Sequence, residues 1–112
     1  MKDFEYFQSK YPALFPSYPR AGFDLPEGWD TLFEDLCQKL SALPNPPACA
    51  QVKEKFGGLR FYTDYAVEEA DALISAAEKE SVRTCQVCGS KDNVKNRGGC
   101  WIAHFCEKCW AK

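Results

Sequence analysis

Hydrophobic side chains recur along this chain at two spacings, and each spacing predicts one type of element. Between residues 28 and 47, apolar positions fall at i, i+3, i+4, i+7, i+8 and i+11, the pattern of a helix with one buried face. Thr31 and Glu34 have the spacing of a capping box at the start of this helix, and Pro44 predicts its end. The apolar stripe consists of Trp29, Leu32, Phe33, Leu36, Cys37 and Leu40.

Two other segments also have helical spacing. Near the N-terminus, Phe4, Phe7 and Tyr11 predict a short helix that ends before Pro12. A third helix is predicted after residue 66, because acidic residues crowd its first turn and one face is apolar. That face comprises Val67, Ala70, Leu73, Ile74 and Ala77. Between the first two helices, closely spaced prolines predict an ordered loop, pinned by Leu14, Phe15, Tyr18 and Phe23.

The segment of residues 51–65, QVKEKFGGLRFYTDY, changes to the alternating pattern of a strand. Its second half alternates apolar and polar side chains, and Gly57 and Gly58 suit the positive φ angles of a two-residue turn. A β-hairpin with its turn at these two glycines is therefore predicted. A short helix that begins at Pro47 and ends at Gly57 is the alternative.

The predicted hairpin gathers positive charge on the face that points away from the core. In this register Lys55 lies opposite Arg60 and Lys53 lies opposite Tyr62. Like charges directly opposed reduce the stability of a hairpin, so this arrangement needs an explanation. Either acids of the neighbouring helix, such as Glu68–Glu69, neutralise the face, or the face contacts acidic or phosphate groups of a partner.

The C-terminal segment carries the strongest chemical signal. Cys85 and Cys88 form one C-x-x-C pair, Cys106 and Cys109 form a second, and 17 residues separate the pairs. Two thiolates three residues apart can bind one side of a tetrahedral ion, while an intervening hairpin brings the second pair to the other side. The spacing predicts one structural Zn²⁺ with four protein ligands, and such a closed site has no position for a substrate.

Cys100 and His104 lie between the two pairs and are alternative ligands. A hairpin between the pairs, and a short helix opened by the second pair, predict a treble-clef or zinc-ribbon arrangement. The expected fold class is therefore α+β. It comprises a helix and β-hairpin body at residues 1–82 and a zinc-binding module at residues 83–112 that packs on the body, with zinc as the core of the module.

Composition limits the function further. The chain shows neither a signal-peptide pattern nor an apolar run long enough to span a membrane, so we expect it in the cytoplasm, where cysteines bind metal rather than form disulfides. It has one histidine, no glycine-rich phosphate loop and no metal-binding histidine pair, so we do not expect an enzyme. Residues 1–82 hold eight basic and fourteen acidic residues, a net charge of −6, whereas residues 83–112 hold six and two, a net charge of +4.

Four stretches together resemble one protein family: GWDTLFEDLC, QVKEKFGGLRFY, AAEKESVRTCQVCG and GGCWIAHFCEKC. Over most of residues 11–110 the chain is similar to a family of short, functionally uncharacterised proteins encoded by bacteriophages, prophages and bacterial genomes. The resemblance implies a phage or mobile-element origin and a zinc-binding C-terminal part. In that family the last pair is often C-x-x-H, so Cys109 stands where a histidine ligand is common. The resemblance implies no established activity.

Two classes of function fit these features. The acidic body, the aromatic content of 14% and the lack of catalytic groups favour a protein-binding module. Its expected partner is a host protein in the bacterial cytoplasm, which it binds as an inhibitor of a defence system or as an adaptor. The alternative is nucleic-acid binding, with cations on phosphates and aromatic rings stacked on bases. Candidate contact residues for a partner are Lys53, Lys55, Arg60, Tyr62, Arg97 and Trp101.

Overall fold

A computed structural model describes residues 3–110 of the chain. Over this range the fold is α+β, as predicted, with four α-helices and two antiparallel two-stranded hairpins. The helices are α1 (Phe4–Lys10), α2 (Asp30–Ser41), α3 (Glu68–Ser81) and α4 (Glu107–Trp110). The strands are β1 (Cys49–Lys55), β2 (Gly58–Thr63), β3 (Lys95–Asn96) and β4 (His104–Phe105), and a 3₁₀ turn at Glu27–Trp29 leads into α2.

The apolar face of α2 lies at the centre of the core. Its side chains pack against α1, α3, the proline-containing loop and the inner face of the β1–β2 hairpin. Trp29, Phe33 and Leu40 have no exposed surface, so the predicted stripe is confirmed. Edge-to-face contacts connect the aromatic rings here; the centroids of Phe7 and Phe33, for example, are 4.9 Å apart. The core of the body therefore depends on aromatic packing around one helix.

The proline-containing loop is ordered by burial, although one predicted anchor is not buried. Leu14 and Phe15 have at most 1% of their surface exposed, and Phe23 packs against the core. Tyr18 is 56% exposed, and its ring centroid lies 4.9 Å from that of Phe4, a partly buried residue at the edge of the core. The prediction of an anchored loop was thus right for these three residues and wrong for Tyr18.

The start of α2 differs from the prediction. The 3₁₀ turn extends the helix upstream, so Trp29 rather than Thr31 is the N-cap residue, and no side chain caps the helix. The predicted capping box of Thr31 and Glu34 is therefore wrong. The chain reaches helical geometry before Thr31, and tertiary partners bind the Glu34 carboxylate instead.

Glu34 is buried, and its carboxylate joins α2 to α1. The hydroxyl groups of Tyr6 and Tyr11 donate to its oxygens at 2.8 to 2.9 Å, and Lys10 Nζ lies 2.6 Å away. Burial, followed by the bond to Glu34, raises the pKa of Tyr11. The bond to Glu34 also raises the pKa of Lys10. This network fixes the short helix α1, which is too short to be stable by itself.

The first hairpin is confirmed, and the helical alternative for its first half is wrong, but the turn lies one residue earlier than predicted. Its central residues are Phe56 and Gly57, with φ angles of +53° and +76°, as a type I′ turn requires. Gly58 lies in the strand. The facing residues are Lys53 and Arg60, Val52 and Phe61, and Glu54 and Leu59, rather than the predicted Lys55 with Arg60 and Lys53 with Tyr62.

Two contacts fix the turn at this position. The Gly57 N–H donates to the Glu54 carboxylate at 2.6 Å, and the Gly57 carbonyl accepts from His104 Nδ1 at 2.7 Å. A Cβ atom on Gly57 would lie 2.6 Å from the His104 ring, so only glycine fits beneath it. The register shifts by two residues in total, so the side chains of Gln51–Lys55 and Leu59–Tyr62 keep their predicted faces, whereas Phe56 moves from the inner face into the turn.

Both edges of the first hairpin carry further hydrogen bonds. Residues 21–24 run parallel to β1, where Val52 exchanges two backbone hydrogen bonds with them, at 3.0 and 2.9 Å. On the other edge, the Leu59 N–H donates to Ser81 Oγ at 2.9 Å, which fastens β2 to the end of α3. The hairpin is thus held between a loop strand and a helix.

Candidate metal centre and neighbouring surface

Four cysteine side chains converge near the C-terminus. The sulfur atoms of Cys85, Cys88, Cys106 and Cys109 all lie within 4.8 Å of one another, and the Cys88 and Cys106 sulfurs are 3.7 Å apart. Four thiolates at about 2.3 Å from a tetrahedral ion lie about 3.8 Å from one another. These four cysteines are therefore placed to hold one metal ion.

The first cysteine pair lies in a tight turn that packs directly on the start of α2. The Gly89 N–H donates to the Cys85 carbonyl at 3.0 Å, and Gly89 has a φ of +81°. Gly28, in the 3₁₀ turn, donates its N–H to the Gln86 carbonyl at 2.9 Å. A Cβ atom on Gly28 would lie 2.1 Å from the Cys85 carbonyl oxygen. Only glycine, which has no Cβ atom, allows residue 28 of the body to lie so close to this turn.

The second cysteine pair opens a short helix. Strands β3 and β4 return the chain to the first pair, and the Gln86 N–H donates to the His104 carbonyl at 3.0 Å across the two segments. Cys106 follows β4 directly, and its carbonyl accepts from the Trp110 N–H at 3.0 Å around the turn that contains Cys109. The segment thus consists of a turn, a two-stranded hairpin and a short helix, in that order, as a zinc module requires.

The four thiols do not share one electrostatic environment. Burial opposes ionisation of Cys85, but backbone N–H groups of Cys106, Cys88 and Val87 point at its sulfur and lower its pKa to about 6. Burial, together with the neighbouring cysteines, raises the pKa of Cys109 to about 12. One thiolate thus forms readily, whereas ionisation of all four requires a cation among them.

The other cysteines and the histidine lie outside this cluster. Cys37 and Cys49 are buried in the body, where burial raises the pKa of Cys37 and raises that of Cys49 to about 12. Cys100 is exposed, and His104 bonds to Gly57 through Nδ1. Within residues 3–110, neither Cys100 nor His104 belongs to the group that could hold a metal.

A groove separates the turn of the first hairpin from the loop that precedes β4. Its volume is about 410 Å³. Phe56 forms part of one side and is 66% exposed, and Trp101 forms part of the other and is 74% exposed. The ammonium group of Lys55 lies 5.5 Å from the centroid of the Phe56 ring. We call this feature the tip groove; it is lined by Glu54, Lys55, Phe56, Cys100, Trp101 and Ile102.

Sequence reasoning identified Trp101 and Lys55 as candidate contact residues but missed Phe56 and Ile102. A turn at Gly57 and Gly58 would place Phe56 on the inner face of the hairpin, opposite Leu59. The structure places it in the turn, where it faces solvent. The sequence feature that could have drawn attention to Phe56 is a bulky side chain immediately before a glycine of the turn.

The predicted contact residues of the hairpin share one face, as expected. Lys53 and Tyr62 lie on the outer face with Arg60, whose Nη1 donates to the Leu59 carbonyl at 3.0 Å. The acid that approaches this face is Glu78: burial raises its pKa, and Arg60 acts in the opposite direction. No ion pair joins Glu68–Glu69 to the face among the residues that the structure describes, so those acids do not neutralise it.

Arg97 has a different environment from the other candidate contact residues. Its guanidinium donates to the carbonyls of Phe105 and Asn93, both at 3.0 Å, and lies 5.6 Å from the centroid of the Trp110 ring. It therefore supports the β3–β4 hairpin and does not line the tip groove.

Comparisons with known proteins do not assign this site. No family model, curated protein or solved structure matches the chain. Within residues 3–110, no helix combines the length and apolar character that crossing a membrane requires.

Proposed function

We propose that this protein is a small, non-catalytic zinc protein of a phage or mobile element that binds a host protein in the bacterial cytoplasm. The observation that carries the proposal is the juxtaposition of a four-cysteine cluster with exposed aromatic side chains on the same module. The cluster supports a rigid module, and the aromatic side chains supply a contact surface.

Zinc is the metal that this donor set favours. Four thiolates in near-tetrahedral array suit Zn²⁺ or an iron–sulfur centre, and a single mononuclear site between two C-x-x-C pairs is typical of structural zinc. With all four positions occupied by protein sulfur, the ion has no open position for water or substrate. Its role is therefore to hold the module together.

The exposed apolar side chains of the tip groove support binding rather than catalysis. Phe56, Trp101 and Ile102 present a continuous apolar surface, and large aromatic side chains are the usual anchors of protein interfaces. The resemblance to phage and prophage proteins supports a host protein as the partner. Inhibition of a bacterial defence system is the most specific form of this proposal.

The zinc part of the proposal is tested by metal analysis. We expect one zinc per chain in protein purified without chelators, and loss of the metal together with the folded module in Cys85→Ser or Cys106→Ser. Cys100→Ser is the matched control, because this exposed cysteine lies outside the cluster and its loss leaves the zinc content at one. A metal-free chain with an unchanged unfolding temperature would contradict the assignment.

The partner is tested by affinity purification from a bacterial host with zinc retained throughout. We expect a host protein at a fixed stoichiometry that survives nuclease treatment. Co-purification of nucleic acid alone would reject protein binding.

Nucleic-acid binding is the second candidate, and the cation–π contact between Arg97 and Trp110 is the observation that favours it. Lys95 and Lys108 are exposed on the same module. An electrophoretic shift of single-stranded DNA or RNA at about 50 mM salt, where phosphate contacts are strongest, would support this candidate. No shift under these conditions excludes it.

A further inference from the structure

Phe56 occupies a backbone conformation that disfavours it. A non-glycine residue at a φ of +53° costs about 1 to 3 kcal/mol, and asparagine or glycine is the usual choice at this turn position. Burial of the Phe56 ring does not offset this strain energy, since 66% of the residue is exposed. A strained, exposed aromatic side chain points to a contact outside the chain.

The two sides of the tip groove come from different parts of the fold. The β1–β2 turn supplies Phe56, and the loop before β4 supplies Trp101 and Ile102. The bond between Gly57 and His104 holds these two parts in register. Because the groove spans both parts, its shape depends on the folded zinc module as well as on the hairpin.

Three cations lie on the outer face of the first hairpin: Lys53 faces Arg60, and Lys55, two residues further on, also lines the tip groove. Glu54 is the acid in the same lining, and its carboxylate accepts the Gly57 N–H. Within residues 3–110, Lys53 and Lys55 make no ion pair, and Glu78 is the acid that approaches Arg60. The Arg60 guanidinium also lies over Gly58, the facing residue of Lys55, with Nη1 3.1 Å from where a Cβ would be. By contrast, ion pairs with acids engage Lys10, Arg20, Lys39, Arg83 and Lys91 elsewhere in the chain.

We propose that the tip groove is the partner-binding site and that its occupant is an acidic protein segment carrying one large apolar side chain. The apolar side chain inserts between Phe56 and Trp101, and flanking carboxylates of the segment contact Lys53, Lys55 and Arg60. This inference rests on the proposed function, since it gives the site and the chemistry of the same protein partner.

A nucleic acid fits this groove less well. Lys55 is the one cation in its lining, whereas a nucleic-acid strand needs a track of cations along its phosphates. The whole chain has a formal net charge of −2 before the metal site is counted, so its long-range field repels a polyanion. A short acidic segment needs only the local charges of the hairpin and gains affinity from one buried anchor.

The test uses a random peptide library displayed on particles and panned against the full, zinc-loaded chain. We expect the recovered peptides to share acidic residues on either side of one large apolar residue. Synthetic copies should quench or shift the fluorescence of Trp101. Their dissociation constants should rise about tenfold or more in Phe56→Asn and in Lys55→Glu. Phe56→Asn preserves the turn, so weaker binding in that variant does not reflect misfolding.

Two substitutions serve as matched controls. Tyr18→Ser removes an exposed aromatic side chain far along the chain from the groove residues, and Lys79→Glu reverses an exposed lysine of α3. Neither residue lines the tip groove, so both variants should bind the peptides as the unmodified chain does.

The outcomes separate this inference from the proposed function. Recovered peptides without acidic residues, affinities unchanged by Phe56→Asn, or binding of oligothymidine in place of peptides would each overturn the inference. If a host protein co-purifies equally with the unmodified chain and with Phe56→Asn, the tip groove is not the binding site, and the proposed function stands. If the peptides bind at the tip groove but no host protein is recovered, the assignment of the groove as a peptide-binding site stands and the proposed function fails.

Discussion

Single residues in this fold are set by partners that are distant in the sequence. Glu34 is the clearest case, since its carboxylate is buried and receives hydrogen bonds from two tyrosines of the N-terminal segment. A buried charge is tolerated only when such bonds replace the lost water. The residue therefore has a structural role that its helical position does not reveal.

We predict that Glu34→Gln lowers the free energy of unfolding by about 2 kcal/mol, because a neutral amide forms weaker hydrogen bonds with Tyr6 and Tyr11 and loses the charge that faces Lys10. Urea denaturation measures the change. Asp35→Asn is the control: its ion pair with Lys39 is exposed on both sides, so we expect a change of about 0.5 kcal/mol or less. Equal effects of the two substitutions would contradict the prediction.

Substitution of Phe56, in contrast to that of Glu34, should increase stability. We predict that Phe56→Asn raises the free energy of unfolding by about 1 kcal/mol, because asparagine tolerates a positive φ better and little buried surface is lost. Thermal unfolding measures the shift. Gly57→Ala is the companion variant and should be destabilising, since its Cβ would collide with the His104 ring. A less stable Phe56→Asn would show that the aromatic ring stabilises the fold.

At the level of elements, the body and the metal module are joined through backbone contacts. The first cysteine turn packs on Gly28, and Trp29 Nε1 donates to the Thr84 carbonyl at 3.1 Å. These contacts place the start of α2 next to Cys85, one of the four candidate metal ligands. A substitution at this contact in the body should therefore alter the affinity of the cysteine cluster for a metal ion.

We predict that Gly28→Ala weakens zinc binding at least about tenfold although it replaces no ligand, because its Cβ would displace the backbone of Cys85. Competition with a chromophoric chelator measures the affinity. Gly22→Ala is the control: Gly22 also has a positive φ, of +112°, but a Cβ there would meet no atom within 4 Å. Strain at Gly22 should lower stability without changing zinc affinity. Unchanged zinc affinity in Gly28→Ala would mean that the body does not support the site.

The elements differ in how far the sequence alone could predict them. Helix α2 and the cysteine pairs follow from local spacing, because a period of 3.6 residues and a C-x-x-C pair are both properties of consecutive residues. The register of the first hairpin could not be predicted from local spacing, because either residues 56–57 or residues 57–58 could form the two-residue turn. The turn position is set by the bonds of Gly57 to Glu54 and to His104, and His104 lies 47 residues after Gly57. The capping box failed for the same reason, since tertiary bonds engage Glu34.

For the whole molecule, we predict that a strong chelator unfolds the module but not the body. The core around α2 contains no metal ligand, whereas the module has few buried aliphatic residues to replace the ion. Far-UV circular dichroism should retain the helical signal, and the emission of exposed Trp101 and Trp110 should change while that of buried Trp29 is largely kept. Loss of all helical signal would show that the two parts fold as one unit.

Zinc affinity should rise with pH across the neutral range. The lowered pKa of Cys85, about 6, means that this thiol is already ionised at pH 7. The raised pKa of Cys109, about 12, means that zinc must displace its proton. Binding therefore releases protons, and affinity falls as the pH decreases. Chelator competition at about pH 6, 7 and 8 measures the slope, and a flat profile would contradict the assignment of these ligands.

The bonded edges of the first hairpin determine what kind of recognition the molecule can support. A sheet edge with open N–H and C=O groups can add a strand from almost any protein, whether a partner or an aggregating copy. Here residues 21–24 and the end of α3 already bond to those edges. At Ala50, Val52 and Leu59, contact with another protein would therefore use side chains rather than backbone. Under the proposed function, recognition of that kind would depend on the partner's sequence, so that a single substitution in the partner would be enough to abolish binding.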